Sequence, residues 1–133
     1  MIECMILGDS IAQGMVRSHP RCEHRTQVGI TSDQFVRQIT HNVTAHHVLI
    51  SLGSNDGHAR TTRQSLIQLR SKILHARVTW LLSANNTQAA QAAQEVAIMH
   101  GDPVIHVRSV VGADGVHPNA SGYYRLSHMW RHN

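Results

Sequence analysis

His47-Val48-Leu49-Ile50-Ser51-Leu52-Gly53-Ser54-Asn55-Asp56 decides the fold. Its first half is an almost unbroken apolar run, too short for a helix of ordinary length. A run of this kind suits a strand buried on both faces, as in a parallel sheet covered by helices. Its second half turns abruptly into Gly-Ser-Asn-Asp, small and polar residues suited to a loop. The rest of the chain repeats the theme. Strands are predicted at Ile2–Leu7, Thr26–Ile30, His47–Leu52, Val78–Ser83 and Val104–Val107.

Amphipathic stretches separate these runs. Helices are predicted from Ser10 to about Ser18, over Ser32–Ile39 after an Asp-containing start, and over Thr62–Leu74 with Leu66, Ile67, Leu69, Ile73 and Leu74 on one face. A fourth, Asn86–His100, is rich in alanine, carries Val96, Ile98 and Met99, and stops before Gly101 and Pro103. The last spans Ser121–Arg131. Regular alternation of strand and helix predicts an α/β protein with a parallel sheet. Right-handed crossovers then give a three-layer α/β/α sandwich. The 133 residues fit one domain, 1–133, with no repeat or linker.

Composition excludes several classes. With 41% hydrophobic and 15% charged residues the chain is not of disordered type. No apolar run reaches the roughly 18 to 20 residues of a membrane span. The N-terminus lacks a basic segment ahead of its short apolar run, so no cleavable signal peptide is visible. The default expectation is a cytoplasmic protein, with export by another route left open. The net charge of +4 comes from scattered arginines and leaves an anionic envelope polymer as a candidate partner. Aromatics at 4% do not make a stacking platform, so no specific nucleic-acid partner is expected. Cys4 reads as a small core residue, and the two cysteines, Cys4 and Cys22, suit a reducing compartment weakly, with a single bridge left open. Among 12 histidines, neither His46-His47 nor His128-x-x-x-His132 is accompanied in sequence by further metal ligands, so no metal site is expected.

Ligands of open α/β sheets bind beyond the carboxyl ends of the strands. Gly8-Asp9-Ser10, Gly29, Gly53-Ser54-Asn55-Asp56 and Asp114-Gly115-Val116-His117-Pro118 all fall there. Together they supply the parts of acyl transfer. A serine hydroxyl needs an imidazole to take its proton, and the imidazole needs a carboxylate to hold its tautomer. Ser10, His117 and Asp114 are the candidates. The oxyanion needs preorganised donors, for which the backbone N–H of Ser10, the N–H of Gly29 and the amide of Asn55 are available. Asp9 and Asp56 are read as structural support. Thr31, Ser32, Ser51 and Ser54 lack partners in sequence and are not proposed as nucleophiles.

These four blocks, in this order, resemble those of the SGNH hydrolases, the GDSL esterase and lipase superfamily. The resemblance spans residues 8–118 and is strongest in Asp114-Gly115-Val116-His117-Pro118. It implies a flavodoxin-like sheet of order 2-1-3-4-5 and a triad of Ser10, Asp114 and His117. It further implies an oxyanion hole of Ser10, Gly29 and Asn55, and no metal or organic cofactor. The short chain leaves little room for a lid, so an open groove and a short acyl group are expected. A small ester or acylated glycan, such as an acetyl ester on a sugar, is the substrate class that fits. A cell-wall glycan-cleaving lytic enzyme and a non-catalytic binding module are the alternatives on this fold. Oligomeric state is not legible in the sequence.

Overall fold

The computed structural model describes residues 2–132. Five strands, β1 (Ile2–Gly8), β2 (Glu23–Thr26), β3 (Ala45–Ser51), β4 (Arg77–Leu82) and β5 (Val104–His106), form one parallel sheet of order β2-β1-β3-β4-β5. The helices between and after them are α1 (Ser10–Val16), α2 (Ser32–Gln38), α3 (Thr62–Ser71), α4 (Thr87–His100) and α5 (Ala120–Met129). This is the expected sandwich.

Side chains alternate across the strands and build a core on each face. Leu7, Val48, Ile50 and Trp80 pack with Phe35 and Val36 of α2, Leu66 and Leu69 of α3, and Val96 of α4. Cys4, Ile6, Leu49 and Leu81 point the other way, against Ile11 and Met15 of α1 and Leu126 of α5. Three helices therefore cover one face and two the other. The strands run in register toward a common edge, with Gly8 beside both Thr26 and Ser51 and Ser51 beside Leu81.

Several expectations are corrected. The second strand is Glu23–Thr26, not Thr26–Ile30. It is a largely exposed edge strand, so burial imposes no apolar pattern on it, whereas Val28 and Ile30 lie in the loop that follows. The third helix ends at Ser71, and Ile73 instead bridges to Val43 while Leu74 is exposed. In α4 the buried face is Ala89, Ala93, Val96 and Ala97, and Ile98 and Met99 face solvent. A 3-10 turn, Val107–Val110, follows β5 and has no counterpart in the sequence reading. Trp130 is buried but lies just past the last helix.

The cysteines form a bridge. Cys4 and Cys22 are joined by a disulfide between β1 and the residue preceding β2. They thus give no support for a reducing compartment. Among the described residues no helix is long and apolar enough to cross a membrane.

Candidate active site

Ser10 is the first residue of α1, directly after β1. The sharp exit of the chain rests on Gly8, whose φ is +135° and where a Cβ would lie 1.9 Å from the Ser51 carbonyl oxygen. Only glycine lets the two strand ends approach this closely. Asp9 then caps α1, its Oδ1 accepting from the N–H groups of Ile11 and Ala12 and from the Ser51 hydroxyl. Its Oδ2 is buried without a partner. Burial outweighs those donors and pushes the Asp9 carboxyl up to about 6.

His117 and Asp114 come from a closed loop after the 3-10 turn. Val111 pairs antiparallel with Pro118, and the Gly112 N–H donates to the His117 carbonyl. Within the loop Asp114 Oδ1 accepts from the backbone N–H groups of Val116 and His117 at 2.8 Å each. Asp114 Oδ2 lies 2.8 Å from His117 Nδ1. The His117 side chain, followed by the two backbone donors, holds the Asp114 carboxyl down to about 2. His117 Nε2 in turn lies 2.8 Å from Ser10 Oγ, across 107 residues of sequence. The structure thus brings Ser10, His117 and Asp114 into one hydrogen-bonded row. With side chains of His117 and Asp114 44% and 53% exposed, the row lies open to solvent.

Two further loops flank it. Gly29 has φ +81°, a left-handed conformation that favours glycine, and a Cβ there would meet no atom within 4 Å. Asn55 Nδ2 donates to the Ile30 carbonyl at 3.1 Å and so ties the loop after β3 to the Gly29 loop. Asp56 strengthens the same tie: one oxygen accepts from the Ser32 N–H at 2.8 Å, the other from the Thr62 hydroxyl at 2.6 Å. Thr31 caps α2 in a reciprocal pair with Gln34. Sequence reading missed Ser51 and Thr62 as partners of Asp9 and Asp56: the first pair meets across 42 residues, and the second, six apart, meets only through the fold of the loop before α3.

Chemically, a hydroxyl, an imidazole and an ionised carboxylate in series can generate a nucleophile. The Ser10 N–H sits in the first turn of α1, where helix geometry offers no acceptor. The site is built of oxygen and nitrogen groups suited to acid–base work, and Asp9, Asp56 and Asp114 are each already engaged by protein donors.

No family model matches the chain, and no curated protein matches it in sequence. Solved structures do match. A Bacteroides uniformis protein classed as a GDSL-like lipase has a TM-score of 0.72 at 13% identity, over 94% of this chain and 92% of that one. The aryl esterase of M. smegmatis has a TM-score of 0.68 at 15% identity, covering 95% and 94%. Est24, a carbohydrate acetylesterase from Sinorhizobium meliloti, has a TM-score of 0.66 at 12% identity, covering 95% and 94%. The chain has the fold shared by these GDSL-type esterases and lipases.

Proposed function

We propose that this chain is an SGNH-type serine esterase that hydrolyses short acyl esters, above all acetyl esters carried on a carbohydrate. The observation that carries the proposal is the row Ser10 Oγ–His117 Nε2 and His117 Nδ1–Asp114 Oδ2, each link 2.8 Å. The fold's occurrence in an aryl esterase and a carbohydrate acetylesterase supports it.

In this reading His117 Nε2 takes the Ser10 proton as Oγ attacks the ester carbonyl carbon. Asp114 holds the Nδ1 proton and stabilises the imidazolium. Negative charge develops on the carbonyl oxygen and meets the N–H groups of Ser10 and Gly29 and the Asn55 amide. The Asn55 amide carries two hydrogens. Ile30 takes one and orients the group, and the other serves the oxyanion. Collapse breaks the ester C–O bond, and His117 returns its proton to the departing alcohol. Water then repeats the sequence on the acyl-serine and releases the acid.

The openness of the row, with His117 and Asp114 about half exposed, favours a short acyl group over one that needs an enclosed apolar pocket. The test is turnover of an aryl acetate by the wild type and by Ser10→Ala. We expect kcat to fall by at least about 10³-fold, because triad members act as a unit. A folded Ser10→Ala protein with undiminished turnover overturns the assignment. A panel of acetylated glycans run alongside identifies the carrier. Cleavage of the glycan backbone without release of acetate would instead indicate a lytic enzyme.

A further inference from the structure

Unused by the chemistry above, His19 and His132 gather around the Cys4–Cys22 disulfide. His19-Pro20-Arg21-Cys22 is a tight turn, closed by the Cys22 N–H donating to the His19 carbonyl at 3.0 Å. It places His19 and Cys22 side by side, and β1 supplies Cys4 opposite Cys22. The chain end beyond α5 folds back over them. His132 Nε2 lies 2.9 Å from His19 Nδ1 and 3.9 Å from Cys22 Sγ. Ligand atoms of Cys4, Cys22 and His132 all fall within 4.8 Å of one another. Trp130 packs against both imidazoles, with ring centroids 5.0 Å from His19 and 4.7 Å from His132. Cys4, Cys22 and His19 are buried.

We propose that, with the disulfide reduced, this cluster is a binding site for a zinc-type divalent cation. Cys4, Cys22 and His132 are its ligands, and His19, whose Nδ1 lies beside the same His132 Nε2 that faces Cys22, is the fourth. Two thiolates and imidazole nitrogens are the donors zinc takes in closed structural sites. The spacing is near what such a site needs. Tetrahedral zinc holds two nitrogens about 3.3 Å apart, and a nitrogen and a sulfur about 3.6 Å apart. The corresponding separations here are 2.9 Å and 3.9 Å. The two sulfurs part once their bond is broken, the two nitrogens open by a few tenths of an ångström, and His19, outside the compact group of the other three, closes on the sulfurs.

The step balances with a dithiol reductant. It gives two electrons and two protons to the bridge, becomes a disulfide itself, and leaves Cys4 and Cys22 as thiols. Metal entry then releases those two protons to solvent, and the imidazoles bind neutral. A disulfide oxidant reverses this: it takes the two electrons, is itself reduced to a dithiol, re-forms the Cys4–Cys22 bond and releases the ion, so bridge and metal exclude one another. The group of ligand atoms lying within 4.8 Å of one another includes His132 but not His128, so the His128-x-x-x-His132 pair of the sequence is not the site. The companion ligands of His132 come instead from the first 22 residues. This proposal stands independently of the esterase reading.

The test is an anaerobic titration of the full chain with Co2+, then Zn2+, in oxidised and reduced forms. We expect the reduced chain to take one Co2+ with thiolate-to-metal charge-transfer absorption, and Zn2+ to displace it. The oxidised chain should show no such band. His132→Gln and His19→Gln should each weaken binding at least about tenfold, and Cys22→Ser should diminish the charge-transfer band. Should the reduced apo-chain lose its circular dichroism, Zn2+ should restore it. A folded reduced chain that binds no metal, binding without the thiolate band, affinity unchanged in His132→Gln or Cys22→Ser, or a reduced chain that Zn2+ cannot refold would each overturn the proposal.

Discussion

Asn55 shows how a single side chain serves two ends at once. Its amide is held by the Ile30 carbonyl, so its position depends on the loop that also carries Gly29. In the proposed mechanism, removing it takes away an oxyanion donor and loosens that loop. Asn55→Ala should lower kcat for an aryl acetate by about 10² to 10³, the usual effect of losing one such donor. A change below threefold would remove Asn55 from the site. Asp114 is insensitive to ordinary acidification. Its folded value of about 2 lies below its ordinary 3.8, so its carboxylate is charged above that range. The stability linked to it is present above 3.8 and is lost only as pH falls through about 2. Ser10, His117 and Asp114 were legible as candidates in the sequence because Ser10 follows β1 after one residue and Asp114 and His117 stand three apart in one loop, each with a residue type that acyl transfer requires. Ser51 and Thr62 were not, because their role exists only through contact with Asp9 and Asp56.

At the scale of elements, α1 is the one with a cost built into it. Asp9 caps it, yet one buried carboxylate oxygen has no partner. The folded carboxyl near 6 lies above its ordinary 3.8, so the native state holds the proton more tightly than the unfolded chain. That stabilising contribution is complete below about 3.8 and is lost as pH rises through about 6, on the order of 2–3 kcal/mol. Asp9→Asn keeps the shape and abolishes the titration. Urea midpoints from pH 4 to 7.5 should therefore fall with pH more steeply in the wild type than in Asp9→Asn. Equal slopes would show that Asp9 does not carry this term. Strands β1, β3 and β4 were legible because burial on both faces demands apolar residues through their central and C-terminal positions, Ile6-Leu7, Val48-Leu49-Ile50 and Trp80-Leu81-Leu82. Strand β2 was not, because an edge strand exposed to solvent tolerates Glu-His-Arg-Thr and is held by backbone pairing to β1 alone.

For the whole molecule, two properties follow from how distant segments meet. The bridge closes a loop with a sequence separation of 18. Loop-closure entropy gives it about 3 kcal/mol, so reduction in the presence of a chelator should lower Tm by on the order of 10 °C. An unchanged Tm in a demonstrably reduced sample would show that the native contacts alone carry this corner of the fold. The open site makes the second property a preference by acyl length: kcat/KM should favour an aryl acetate over the octanoate, and the reverse order would reveal an apolar pocket that forms on binding.

The sequence by itself determined the layered α/β architecture and the residue types at the strand ends, because period and chain reversal are local properties, written within a few residues of where they act. Only the tertiary structure decided that Cys4 meets Cys22, that His19 and His132 close over them, and that Asn55 leans on Ile30. Such pairings depend on how strands and helices stack, and a contact across 113 residues leaves no periodic trace in the chain that makes it.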